Sequence, residues 1–220
     1  MNPDDVAQYL QDNPTFFDNY AEVLAKIQVP HPHGGQAIAL VDRQMLGLRE
    51  KYRALEAKLA ELLQFGEEND AISEKMHRLS TAMLAAPGRD ALLSALHAGL
   101  KDDFSIPCVA LRLWGLPPRE LDADCAEYAP VSDELKTYAA SLAEPHCGAN
   151  ANAEAAGWFG EAAADIGSVA HIPLRESGGG ACVGLLVLGS EDTARFYPEM
   201  GTLYLKRLGD LAGAGLSRFA

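Results

Sequence analysis

Apolar residues recur at alternating steps of four and three from Val41 onward: Val41, Met45, Leu48, Tyr52, Leu55, Leu59 and Leu62. Phe65, Asn69, Ile72, Met76, Leu79 and Met83 carry the series on, and no proline interrupts it. Such steps keep one narrow side of an α-helix apolar, which is the seam of paired helices. The pattern predicts a helix from just after Gly35 to about Leu84, roughly 75 Å long at ~1.5 Å per residue. A second copy of the same helix is the simplest cover for the stripe. The flanks hold opposite charges at helical spacing, Glu50/Arg53, Arg53/Glu56, Lys58/Glu61 and Glu74/Arg78. Leu59–Leu62–Phe65 holds two successive steps of three, which predicts overwinding, a kink or a short break beside Gly66. Asn69 either fixes the register of a pair or is a solvated edge residue. The seam spacing suits parallel and antiparallel pairing alike.

Ahead of this helix, Asn2 and Pro3 open one short helix and Asn13-Pro14 a second, with Phe16, Tyr20, Val23, Leu24 and Ile27 on one face. Some 35 residues are too few to bury those aromatics alone, so this face needs the long helix, a second protomer or a protein partner. The loop Val29-Pro-His-Pro-His-Gly-Gly35 ends the segment.

After the long helix the periodicity changes. Leu92, Leu93, Leu96 and Leu100 predict a helix, and Cys108–Trp114 a strand with Val109, Leu111 and Leu113 on one side and Ala110, Arg112 and Trp114 on the other. A weak strand is expected within Leu121–Tyr128 and a short helix from Ser132 to Leu142. Pro145–Gly167 reads as irregular, a lid, binding loop or disordered stretch, broken only by Trp158-Phe159. Ser168–Leu174 and Cys182–Leu188 form a hairpin through Gly178-Gly179-Gly180, and a helix over about Pro198–Phe219 closes the chain. The expected class is α+β: an antiparallel sheet with helices on one face, preceded by a long coiled-coil-type helix and a short helical element. The expected divisions are 1–35, a docking element; 36–75, the dimerisation helix; and 76–220, the sheet domain.

Charge narrows the functions. The chain carries a formal net charge of −13, and such a field repels a polyanion, so direct nucleic-acid binding is not expected. Arg119–Asp165 holds ten acids (Glu120, Asp122, Asp124, Glu127, Asp133, Glu134, Glu144, Glu154, Glu161, Asp165) against Arg119 and Lys136, read as a solvated acidic flank. No apolar run is long enough for a bilayer, and the N-terminus lacks the basic and apolar regions of a secretory signal. A cytoplasmic location is therefore expected. Cys108, Cys125, Cys147 and Cys182 form no C-x-x-C pair and read as reduced thiols.

Several phrases together resemble known families. His77-Arg-Leu-Ser, Val109–Trp114, Ser168-Val-Ala-His-Ile-Pro-Leu174, Val183-Gly-Leu-Leu-Val-Leu-Gly189 and Gly189-Ser-Glu-Asp-Thr-Ala-Arg-Phe196 look like a GAF-type sensor domain. Pro30-His-Pro-His-Gly-Gly-Gln36, Arg43-Gln-Met, Leu48-Arg-Glu-Lys, Phe65-Gly-Glu-Glu-Asn-Asp70 and His146-Cys-Gly148 resemble a bacterial family known as domain of unknown function 484. The resemblance covers almost the whole chain and implies a cytoplasmic, GAF-like protein with no established reaction or ligand. Some GAF-fold enzymes reduce free methionine sulfoxide with loop cysteines, and Cys125 and Cys147 are the pair that chemistry would need here.

Arg112 and Trp114, on the strand face turned away from the helices, suit an anionic or aromatic ligand; a structural ion pair is the plainer role for Arg112. Cys147, Gly148, Trp158, Phe159 and His171 complete the candidate ligand site. His31 and His33 form an H-x-H pair with no third ligand in sight, so no metal is expected. Gly178–Gly180 lacks the context of a nucleotide loop. No cofactor or catalytic residue is expected. The reading is a non-catalytic, dimeric regulatory or scaffold module that binds a small ligand or a protein partner. The alternatives are a thiol-dependent methionine sulfoxide reductase and a pure interaction protein without a pocket.

Overall fold

The computed structural model describes residues 2–29, 38–116, 125–149, 152–176 and 178–219. His31, His33 and the Leu121–Asp124 part of the weak strand lie outside them. The chain divides into two compact units, residues 1–68 and 69–220.

The first unit opens with α1 (Pro3–Asp12). Asn2 caps it: the Asn2 N–H donates to the Asp5 carboxylate at 2.9 Å, and Pro3 needs no amide partner at that position. Helices α2 (Phe16–Asn19) and α3 (Ala21–Lys26) follow. Phe16 is the hub of an aromatic cluster, with its ring stacked on Tyr20 at 4.8 Å and edge-on to Phe17 at 5.3 Å and Tyr9 at 6.1 Å. Strands β1 (Gln28–Val29) and β2 (Ile38–Ala39) pair antiparallel. Helix α4 then runs from Leu40 to Ala85 without a break. The interruption expected beside Gly66 does not occur. A helical glycine costs about 1 kcal/mol relative to alanine, and Gln64, Glu67 and Glu68 around it favour the helix.

The second unit contains the last turns of α4, then α5 (Arg89–Ala98) and a π-type turn at Gly99–Asp103. Strand β3 (Cys108–Leu113) is followed by a 3₁₀ turn at Ala126–Tyr128 and by α6 (Asp133–Ser141). Then come β4 (His146–Gly148), α7 (Ala153–Gly157), β5 (Ser168–Arg175), β6 (Cys182–Ser190) and α8 (Leu203–Ser217). The strands form one antiparallel sheet in the order β3-β6-β5-β4. The β5–β6 hairpin turns through Gly178 and Gly179 at φ +81° and +80°, a conformation that side chains disfavour.

The register sorts the side chains. Leu111, Leu186 and Ile172 lie abreast and pack, with Leu113, Leu188, Ala170 and Leu174, against Leu79 and Met83 of α4, Leu92 and Leu96 of α5, and Leu208, Ala212 and Leu216 of α8. Helix α8 reaches β5 closely because Gly213 has no Cβ; one built there would lie 2.9 Å from the Arg175 amide nitrogen. The fold is thus α+β, with the long helices on one face as expected. The other face is covered as well, by α6 and α7, which pack on Leu185 and Val187.

The region 145–167 is more ordered than its small residues suggested. It supplies β4, α7 and a 3₁₀ turn at Gly160–Ala164. Ala153, Ala155 and Ala156 favour helix, and Asn152 caps α7 through the Glu154 and Ala155 amides at 3.0 and 3.1 Å.

Candidate functional site

Ala110, Val187 and His171 lie abreast on the α6/α7 face, and Arg112, Leu185 and Pro173 form the next row. Helix α6 is tied over this face from its start. Ser132 accepts from the Leu135 amide at 3.1 Å, and Glu154 of α7 accepts from the Ser132 amide at 3.0 Å and from the Ser132 hydroxyl. Leu135, Tyr138 and Ala139 then face the sheet at helical spacing.

The expected ligand residues fill this space themselves. The Arg112 guanidinium lies 4.8 Å from the Trp158 ring centroid and donates to the Leu111 carbonyl at 2.8 Å. Burial lowers the Arg112 pKa, while the nearby charge of Glu127 acts in the opposite direction. Trp114 donates its indole N–H to the Cys182 carbonyl at 2.9 Å. Trp158 and Phe159 pack on the Leu185/Val187 cluster. Beside Trp114 there remains an open cleft of about 260 Å³, lined also by Leu116, Tyr128, Val131 and Lys136. That is below the roughly 300–1,000 Å³ of ordinary small-molecule sites.

His171 is wholly buried, and its Nδ1 lies 2.8 Å from the Tyr138 hydroxyl. Its Nε2 has no hydrogen-bond partner among the described residues. Burial, and then the neighbouring His146, lower its pKa to about 4, so the ring is neutral at physiological pH. Tyr138 was absent from the sequence-derived site. Its place three residues after Leu135 and one before Ala139, on the buried helix face, is the signal that would have found it.

Cys147 does not join this group. It pairs with Ala170 and therefore enters the opposite, helix-packed core. Neighbouring residues of a strand face opposite ways, so His146 and Gly148 share the parity of His171 and Cys147 does not. Gly148 holds φ +148° beside Pro198. Burial pushes the Cys147 thiol up to about 11 and raises Cys108 and Cys182 as well. A nucleophilic thiol requires the reverse. Among the described residues no cluster of three His, Cys, Asp or Glu side chains is placed to hold a metal.

The second candidate surface is on α4. Met45, Leu48, Tyr52, Leu55, Leu59 and Leu62 are 47–68% exposed, whereas Leu79 and Met83, on the same periodic series, are 1% and 2% exposed within the second unit. The series thus serves two purposes: its C-terminal part packs on the sheet domain, and its earlier part is uncovered. The change falls just beyond the two consecutive steps of three. The side chain of Val41 lies outside the described residues.

These features define an α+β sheet domain entered by a long helix with an uncovered apolar stripe. The chain belongs to the family described as "Protein of unknown function, DUF484", whose model matches residues 1–220. It is 25% identical over 207 residues to the uncharacterized protein YigA of Salmonella typhimurium, covering 92% of this chain and 86% of that protein. Among solved structures it is similar to a GAF domain from Pseudomonas syringae pv. tomato, with 15% identity, a TM-score of 0.44, and coverage of 70% of this chain and 91% of the other. Among the described residues, no helix is long and apolar enough to cross a membrane.

Proposed function

We propose that the protein is a non-catalytic regulatory or scaffold module that acts as a cytoplasmic homodimer. The observation that carries this reading is the uncovered stripe: six large apolar side chains from Met45 to Leu62, 47–68% exposed on one side of α4. Contiguous apolar surface of that kind marks an interaction site. The filled face around Arg112 and Trp158 supports the scaffold side of the reading over a preformed ligand pocket. The half-exposed Tyr9 and Tyr20 beside Phe16 add a surface for a protein partner. The free thiols of Cys108, Cys147 and Cys182 fit a reducing compartment.

Sedimentation velocity of the full chain across a concentration series tests the dimer. A dimer is expected, and Leu55→Glu with Leu59→Glu is expected to yield a folded monomer with an unchanged circular dichroism spectrum. A wild-type monomer throughout the series overturns the reading. A melting-temperature screen against metabolites tests the ligand side. A saturable rise that Arg112→Ala abolishes restores a sensor role at this face.

A further inference from the structure

The uncovered stripe of α4 carries information about the direction of its partner. In heptad terms Met45, Tyr52 and Leu59 occupy the a positions and Leu48, Leu55 and Leu62 the d positions. Leucine at every d position meets half of the two-stranded parallel pattern, although the a positions are not β-branched. The charges beside the seam are more decisive. The g positions preceding Tyr52 and Leu59 are Lys51 and Lys58; the e positions following Leu48 and Leu55 are Arg49 and Glu56. In a parallel pair, g of one helix lies beside the next e of the other; in an antiparallel pair, g faces g and e faces e.

The two arrangements differ in their charge balance. Parallel, in-register pairing places Lys51 of each copy against Glu56 of the other, twice per dimer by symmetry. Antiparallel pairing allows Arg49 to meet Glu56 along the e edges, but it lines the g edges with lysine facing lysine or Gln44, and that repulsion offsets the gain. Lys58 is already engaged within its own helix, with Nζ 2.6 Å from Glu61. Lys51 and Glu56 are exposed and form no ion pair among the described residues, although the sequence also offers Arg53 to Glu56.

We infer that two copies of this chain pair their α4 helices parallel and in register over Met45–Leu62, with Lys51 of one copy against Glu56 of the other. This rests on the dimer reading above and adds its orientation. Both sheet domains then follow the same end of the pair, so a change in helix packing reaches both at once.

Two measurements on the full chain decide it. In a Cys125→Ser background, which removes the exposed native thiol, Leu48→Cys and Leu62→Cys are each expected to form a disulfide-linked dimer under mild oxidation when oxidised alone. The two sites are 14 residues, or roughly 21 Å, apart along the helix, so an antiparallel pair cannot join both to themselves. Cross-linking only in a mixture of the two variants, or in neither while sedimentation still shows a dimer, overturns the orientation and leaves the dimer intact. A monomer at all concentrations overturns both. In the second measurement, Lys51→Glu and Glu56→Lys are each expected to weaken self-association by about tenfold, the size of a few modest flanking-charge effects, and the double variant to restore it. Single variants with unaltered association, or a double variant weaker than either, exclude the Lys51–Glu56 contact.

Discussion

The guanidinium of Arg112 lies 4.8 Å from the ring centroid of Trp158, and this contact fills the face of the sheet that the sequence pattern marked as a candidate ligand site. The arginine comes from β3 and the tryptophan from the turn after α7, so one contact fastens the outer layer to the sheet. Phe159 continues that layer: a Cβ added to Gly189 of β6 would come 3.2 Å from its ring and 2.7 Å from Ile166.

Removing the Trp158 ring therefore both loosens the layer and opens a space. Trp158→Ala is expected to cost about 2–3 kcal/mol in denaturant unfolding, below the range for a fully buried tryptophan because this one is half-buried. Millimolar indole is expected to recover part of the loss by refilling the space. An unchanged midpoint would mean that the contact contributes nothing to holding the layer.

The buried His171 makes stability depend on pH. Its ordinary pKa is 6.5 and its folded value is about 4. Above pH 6.5 the ring is neutral in both states. Between pH 6.5 and 4 the unfolded chain takes up a proton that the native state refuses, so stability falls as pH falls. The slope is up to ~1.4 kcal/mol per pH unit, reaching ~3 kcal/mol by pH 4. His171→Gln keeps an acceptor for the Tyr138 hydroxyl and removes the titration. Comparing unfolding free energies at pH 7 and pH 5, the variant is expected to show a smaller loss than the wild-type chain; equal losses would assign the effect to other groups.

Much of this fold was legible in the chain itself. Helix α4, strand β3 and the β5–β6 hairpin carry strong periodicity or paired glycines, and the parity of Arg112 and Trp114 on β3 put them on the correct face. Elements whose order comes from tertiary packing were not legible. Strand β4 is three residues long, and α7 is a five-residue helix held by Asn152 and Glu154. The site was mixed for a related reason. Trp158 and His171 meet on one side of the sheet, but Cys147, expected beside them, lies on the other. Its face depends on pairing with Ala170, a long-range register that local pattern does not encode. The contact of His171 with Tyr138 is likewise non-local.

That register has a chemical consequence. Cys147 is 4% exposed and its thiol is pushed up to about 11, whereas Cys125 is exposed. Alkylation at pH 8, followed by mass mapping, is expected to modify Cys125 first and Cys147 only on unfolding. Rapid labelling of Cys147 in the native protein would revive the thiol-reductase alternative.

Arg89 offers the most demanding test of how the second unit closes on itself. It is the first residue of α5 and only 2% exposed. One end of its guanidinium donates to the Tyr128 hydroxyl at 2.9 Å and the other to the Phe219 carbonyl at 2.7 Å. It thus joins the 3₁₀ turn after β3 to the chain just beyond α8, and its positive charge lies where the helix carbonyls end. Arg89→Met keeps the aliphatic stem but removes both of these hydrogen bonds. The expected cost is about 2–4 kcal/mol. Arg89→Lys is expected to recover only part, because one ammonium lacks the planar fork that spans two acceptors. Hydrogen exchange localises the effect: in Arg89→Met the last turn of α8 should lose protection while the β5–β6 amides keep theirs. Uniform loss across the sheet would instead make Arg89 a general determinant of stability, not a clamp on the C-terminal helix.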